Sequence, residues 1–481
     1  MSRLPSAKSY TYFGTRSPKN EAAGWPHPTQ PRERGRLILR VFRSAGLHQP
    51  ENRWGGAAPR RLPCSHVGRV VEAVVPARLG VGFRWLLASS WTSNLGDGIA
   101  IAAGPLLVAS QTGDPLLVAM AALLQWLPPL LFGLFAGALA DRMDRRLIVV
   151  TVDLIRTAVV VALCLTIVTD SISIAVVLGC LFLLGTAEVF ADNSSATLLP
   201  MLVHRDDLAI GNARMTMGLV TINQLAGPPL GAAMFAAGMV WPFVGQAVCV
   251  LLGAILVSRV VLPPHGRARD ERGRMRHDIA EGVRWAWRHP AVRTLLLTIA
   301  TFNITFGAAW SVLVLYATQR LGLGAIGFGL LTTVSAVGGL LGTAAYGWIT
   351  RRVSLGNIMR IGLIIETLTH LALALTTSAY VAMAIFFVFG AHAFIWGTTS
   401  ITVRQRAVPS SLQGRVGSVN QVAVYSGLVV GSGVGGLIAR EWGVTAPFWF
   451  AFVGSAVFVV LIWRQLRHIA HADAAAAPAD A

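Results

Sequence analysis

Asp97 lies about twelve residues inside an apolar stretch that begins near residue 84, with Asn94 one helical turn before it and no basic residue within a turn. A carboxyl group placed there can load and release a proton, and the flanking Gly96 and Gly98 leave room for water or a bound molecule. Glu366 and His370, spaced i and i+4, form a second candidate for proton coupling, with His392 in the next apolar stretch beside them. A buried histidine can equally do no more than bond a backbone carbonyl. Asp153 and Arg156, three residues apart, can satisfy one another as a structural pair. Glu188 and Asp192 share one face of a fourth apolar stretch and read as gate elements. Each such charge costs about 2.5–3.5 kcal/mol to place in a bilayer helix, so each needs a partner or a task.

The chain around these residues is built for a membrane. Of 481 residues, 54% are hydrophobic and only 13% charged, where a soluble domain carries about 25% charged residues. Lysine occurs only as Lys8 and Lys19, and neither follows a glycine, so no phosphate-binding Walker loop and no Schiff-base lysine within an apolar segment is available. The cysteines Cys64, Cys164, Cys180 and Cys249 form no C-x-x-C pair, so disulfides and zinc sites lack support. No cofactor and no metal is expected.

Twelve apolar spans position the charged residues: 84–109, 115–139, 147–169, 172–194, 212–238, 241–262, 292–317, 325–349, 355–377, 379–403, 415–438 and 446–466. Arginines crowd one set of connections: Arg142, Arg145 and Arg146; Arg205; nine between Arg259 and Arg293; Arg351 and Arg352; Arg404 and Arg406; Arg464 and Arg467. In the alternate set only Arg320 and Arg440 break the pattern. The positive-inside rule then places both termini in the cytoplasm and calls for an even number of spans. The expected fold is all-α: a polytopic membrane protein of twelve transmembrane helices in two pseudo-symmetric six-helix bundles.

The expected domains are a basic cytoplasmic arm over 1–80, an N-terminal bundle over 81–262, a cytoplasmic linker over 263–291, a C-terminal bundle over 292–467 and a low-complexity tail over 468–481. The arm holds fourteen basic and four acidic residues, a net +10 of the chain's +18, and nine of its 23 prolines, a composition of disorder. Its patch from Arg36 to Arg43 could touch anionic lipid, although a solvated tail is the simpler reading. Apolar residues near Met1 form no signal-peptide core. Nucleic acid is not an expected partner, because over half the excess charge sits in this arm.

An internal duplication supports the two bundles. GLFAGALADRMDRR (Gly133 to Arg146) aligns without gaps to GLLGTAAYGWITRR (Gly339 to Arg352) with five identities. Asn94 and Asn303 occupy matching places in the first span of each half, and GPPLG (Gly227 to Gly231) matches GSGVG (Gly431 to Gly435).

The run Gly137-Ala-Leu-Ala-Asp141-Arg142-Met-Asp144-Arg145-Arg146 resembles the G-x-x-x-D-R-x-G-R-R loop of the major facilitator superfamily, and the likeness extends over about residues 84 to 467. ADRMDRR, EGVRWAWRHP before span 7 and VRQRAVPSSLQGRV before span 11 are most similar to its macrolide-efflux and siderophore-exporter branch. Asp144 stands at the motif's second glycine, where an Asp can adopt the left-handed backbone that Gly favours. In span 5, Asn223-Gln-Leu-Ala-Gly227-Pro228-Pro229-Leu-Gly231 resembles the antiporter motif of drug exporters. Its prolines should bend the helix, and Gly227 and Gly231 should let it approach the other half; a merely well-packed membrane helix is the alternative.

The resemblance implies alternating access by two rocking bundles around a cavity lined by spans 1, 4, 7 and 10. That brings Asn94, Asn303, Phe306, Trp310 and His392 forward as substrate-cavity candidates beside Asp97. Gly137 should let span 2 pack closely, Asp141 should complement a helix N-terminus, and Arg145 should pair with Asp192; these contacts would favour the outward-open state. The expected function is proton-coupled export of amphipathic small molecules by a monomer in the cell membrane, with substrate, protons and lipid as partners. The alternatives are an importer of the same fold and a membrane-embedded transferase. The first would need more polar contacts for hydroxyls, and the second lacks any D-D-x-x-D, H-E-x-x-H or G-x-S-x-G motif here.

Overall fold

The computed structural model describes residues 77–140, 143–262 and 275–465. The arm up to residue 76 with its Arg36 to Arg43 patch, the gate residues Asp141 and Arg142, linker residues 263–274 and the tail lie outside the described residues. Among the described residues every regular element is helical. Spans 1 to 4 are the helices Gly80–Gln111, Pro115–Ala140, Arg145–Val168 and Ile174–Leu202. Span 5 runs through Leu208–Gly218, Leu219–Ala226 and Gly227–Ala237, and span 6 is Trp241–Ser258. A linker helix, Met275–Arg288, precedes span 7, which is Pro290–Trp310 continued by Leu313–Leu315 and Tyr316–Arg320. Spans 8 to 12 are Ala325–Thr350, Leu355–Leu375, Ala379–Ala407, Gln413–Trp442 and Ala446–Ile462. Nine of the described helices, those of spans 2, 3, 4 and 6 to 11, are long and apolar enough to cross a bilayer. Span 12 is apolar but shorter, and span 5 is divided.

The division of span 5 has a local cause. Pro228 and Pro229 lack the amide hydrogens that an unbroken ladder would use, and the chain passes through a π-helical stretch, Leu219–Ala226, directly before them. The α-helix resumes at Gly227, whose amide still donates back to the Ile222 carbonyl, with the two prolines directly after it.

Within the N-terminal half, span 1 packs on spans 5 and 6, span 3 on spans 4 and 6, and span 2 on span 4. The C-terminal half repeats the pattern helix for helix: span 7 on spans 11 and 12, span 9 on spans 10 and 12, and span 8 on span 10. The aligned glycines account for the closest of these contacts. A Cβ on Gly98 would meet the backbone of Asn223 and Gly227, and one on Gly307 would meet Leu428 and Gly431. Gly231 abuts the Ile99 carbonyl, as Gly435 abuts that of Ala308. Asn94 and Asn303 each donate to the carbonyl four residues back, Ser90 and Ile299, at 2.7 Å.

Gly227 and Gly231 therefore pack against span 1 of their own half, which corrects the expectation that they face the other half. Span 5 meets the other half through its prolines: the Cβ position of Gly329 in span 8 lies 3.1 Å from the Pro228 carbonyl oxygen and 2.5 Å from the Ala232 methyl.

Among the described residues the closest approach of the halves is at the end away from the basic loops. There span 2 packs on span 11, with the Cβ position of Gly436 at 3.2 Å from the Leu116 Cα, and Arg440 Nε lies 3.9 Å from Asp114 Oδ2. Arg320 donates to the Thr376 carbonyl at 3.3 Å. Both arginines that break the loop-charge pattern thus have partners at that end. At the basic end Gly133 and Gly137 of span 2 and Gly414 and Gly417 of span 11 face open space. Gly137 makes no close approach, contrary to expectation, because the surfaces it would join are apart in this conformation.

Candidate functional site

The charged residues of the N-terminal half converge halfway along their helices. Arg156 Nη1 donates to Asp153 Oδ1 at 3.2 Å, and its Nη2 donates to Asp97 Oδ1 across to span 1. The Arg156 and Asp153 side chains are only 4% and 3% exposed, while Asp97 keeps 19%. Glu188 and Asp192 of span 4 also act electrostatically on Arg156, so four carboxylates surround one guanidinium. Asp153 and Arg156 are therefore not a closed pair, and Asp97 does have a cationic partner, supplied from another helix. The surplus of acids over bases in spans 1 to 4 was the available signal for this role of Arg156. Although the carboxylates gather, no group of His, Cys, Asp or Glu among the described residues could hold a metal ion.

Glu188 and Asp192 line a cavity of about 520 Å³ that opens between the halves. Its other walls are span 2, with Gln125, Trp126 and Pro129, and span 11, with Gln421 and Tyr425. Trp126 and Tyr425 stack across it at 6.4 Å. This cavity is lined by spans 2, 4 and 11, whereas spans 1, 4, 7 and 10 were expected. Gln125 and Gln421, amides in the middle of apolar spans, were the residues that could have marked it.

The gate motif departs from expectation at two places. Asp144 has φ −65° and ψ 111°, extended and not left-handed, and its carboxylate caps span 3 by accepting from the amides of Arg146 and Leu147 at 2.9 and 3.2 Å. A side-chain cap explains why a carboxylate serves where a turn glycine was anticipated. Arg145 meets span 4 at the Thr197 carbonyl and the Met201 sulfur, beyond Asp192, which faces the cavity instead. Arg146 donates to the Val260 carbonyl at 3.0 Å, tying the loop to the end of span 6.

In the C-terminal half, Asn303, Phe306, Glu366, Phe389, His392 and Trp396 line a separate pocket of about 230 Å³ between spans 7, 9 and 10. Glu366 faces His392, Oε2 to Nε2 at 3.6 Å, and also acts electrostatically on His370, its i+4 neighbour. His370 is fully buried and meets Trp310 edge-on at 6.0 Å. Trp310 in turn stacks on Phe306 at 4.4 Å, behind the pocket wall. Asn94 sits apart from both cavities; its carbonyl accepts from Asn223 of span 5 at 3.2 Å.

The chain has relatives of known kind. A family model described as transmembrane secretion effector matches residues 72–480. The multidrug efflux pump Tap of Mycolicibacterium fortuitum is 29% identical over 388 residues, 76% of this chain and 90% of that protein. Macrolide efflux protein A of Streptococcus pyogenes is 23% identical over 372 residues, 74% of this chain and 88% of that protein. Among solved structures, an inward-facing bacterial homologue of the iron transporter ferroportin has a TM-score of 0.65 at 16% identity, covering 80% of this chain and 98% of its own. The nucleoside transporter NupG has a TM-score of 0.62 at 12% identity, covering 81% and 99%. These two likenesses are of fold alone.

Proposed function

The chain belongs to the transmembrane secretion effector family of the major facilitator superfamily, a family of transporters and not of enzymes, and from that premise we propose that it exports amphipathic small molecules in exchange for protons that enter down their own gradient. The observation that carries the proton coupling is the surplus of carboxylates around Arg156 beside the central cavity. A proton carrier needs an acid that gains and loses its charge as access alternates, and a fixed cation that stabilises the charged form in one of the two states. Asp97 fits this role best: its side chain keeps 19% exposure where that of Asp153 keeps 3%, and its bond to Arg156 links two different helices, spans 1 and 3.

The multidrug pump and the macrolide exporter among its relatives support an apolar or amphipathic cargo and the outward direction. The loop arginines support a basic end and both termini on the cytoplasmic side of a plasma or inner membrane, and on this reading the protein works there as a monomer. The conformation described is then inward-open, with cargo entering beside Glu188 and Asp192.

The test is efflux in inverted membrane vesicles, measured with a panel of macrolides, siderophores and other amphipathic compounds. Asp97→Asn should abolish uphill, proton-driven accumulation while downhill movement persists. An Asn variant that still accumulates substrate with unchanged pH dependence would refute the assignment.

A further inference from the structure

The two halves carry opposite charges at equivalent places. Counted from the first helical residue, Arg156 of span 3 and Glu366 of span 9 fall at the same position; Arg156 reaches across to Asp97 of span 1, whereas Glu366 faces His392 of span 10. The N-terminal half puts a permanent cation among acids. The C-terminal half puts a single acid against an imidazole, in a pocket walled by aromatic rings. The position of Asp97, one residue before Gly98, is taken there by Phe306, one residue before Gly307, so the acid of one half is replaced by a ring in the other.

We propose that the pocket between spans 7, 9 and 10 is a separate binding site for the cationic amine of an amphipathic molecule, which takes Glu366 as its counter-ion and displaces a proton from His392. The proposal rests on the transport reading for its role in the cycle, but the site itself stands on the geometry of this half. The Glu366 side chain is 13% exposed, at the pocket wall, and that of His392 only 4%. Phe306 and Phe389 stack with ring centres 5.9 Å apart, and Trp310 closes the stack at 4.4 and 4.7 Å from them. Ring faces next to a carboxylate are the environment that holds an ammonium group after it has lost its water. Trp396 also lines the pocket, and its indole N–H is buried without a hydrogen-bond partner.

The exchange follows from charge. With His392 protonated, Glu366 already faces a cation at 3.6 Å. An ammonium group that enters between the rings and Glu366 stands beside a second positive charge. The imidazolium then gives its Nε2 proton to water in the pocket, and the net charge of the site is unchanged. The other titratable group near Glu366 is His370 on its own helix. Span 7 presents Asn303, Phe306 and Trp310, and span 12 has no ionisable residue over Ala446–Ile462.

The probe is benzyltrimethylammonium, a permanent cation with one ring, whose binding to the purified full-length protein in detergent is measured by calorimetry in two buffers of different ionisation enthalpy. Its neutral isostere, neopentylbenzene, is the control. The cation should bind with release of up to about one proton, read from the difference in heat between the two buffers. Glu366→Gln should weaken binding by about tenfold or more, and His392→Asn should bind without releasing a proton. Undiminished binding to Glu366→Gln, unchanged proton release from His392→Asn, or equal binding of the neutral isostere to the unaltered protein would each overturn the proposal. The last comparison needs no variant, so a misfolded mutant does not blunt the test. No gradient is present, so a protein that binds the probe as described yet fails the vesicle test loses only the proposed coupling.

Discussion

Arg156 on span 3 holds Asp97 on span 1 with one amino group of its guanidinium while the other holds Asp153, a turn away on its own helix, at 3.2 Å. The three side chains form one buried unit across two helices, and Arg156 is its only cation. The unit is therefore asymmetric under mutation: either acid can be neutralised with a partner left for the guanidinium, but removing the guanidinium strands both.

Arg156→Gln should accordingly be the more damaging change. Stranding buried carboxylates costs about 3–5 kcal/mol, whereas Asp97→Asn leaves Arg156 paired to Asp153 and should cost about 1–3 kcal/mol. Thermal unfolding of both variants in detergent gives the order directly. Equal loss of stability would mean that Asp153 does not share the guanidinium.

Gly231→Ala and Gly137→Ala should separate packing from gating. The first places a methyl against the Ile99 carbonyl and should cost about 1–3 kcal/mol through forced displacement of spans 1 and 5. The second meets nothing in this conformation, so the unfolding midpoint should not fall. Its effect should be confined to transport rate, because only closure of the basic end brings neighbours to it. A lower midpoint for Gly137→Ala with normal transport would contradict this division.

At the opposite end, Asp114 and Arg440 join the two halves across 3.9 Å. With Arg440 half-exposed and Asp114 partly so, the pair contributes about 0–1 kcal/mol, so Arg440→Gln should shift the balance between states without unfolding the protein. Cysteines introduced at both positions and joined by a short flexible cross-linker should hold this end shut and stop export. Full transport after complete cross-linking would show that this end need not open.

Asp144 should be replaceable by what caps or bends, but not by alanine. Its carboxylate accepts two amides at the start of span 3, so Asp144→Ala should cost about 1 kcal/mol and Asp144→Ser much less. Asp144→Gly, which restores the motif's glycine, should cost only a few tenths of a kcal/mol. The same unfolding assay orders the three. Alanine proving as stable as serine would show that the cap contributes nothing.

The spans, the paired halves and the family motif were legible in the chain because each depends on residues close together in sequence. An apolar run of bilayer length can be satisfied only by a helix, and loop arginines mark one end whatever the helices pack against. The Gly98–Gly227 contact was half legible: repeated glycines announced a close approach, but not which helix would take it. The partner of Asp97 was signalled only by the surplus of acids over bases in spans 1 to 4. Asp97 and Arg156 are separated by 59 positions, and nothing local to either states how spans 1 and 3 are rotated about their axes. That rotation is set by where the glycines let backbones meet, and it turned an apparent i and i+3 pair into a bridge between helices. In the same way Glu366, besides its neighbour His370 on the same helix, meets His392 on the next. Helical spacing specifies which residues can share a face; only the packing of twelve helices decides what that face meets.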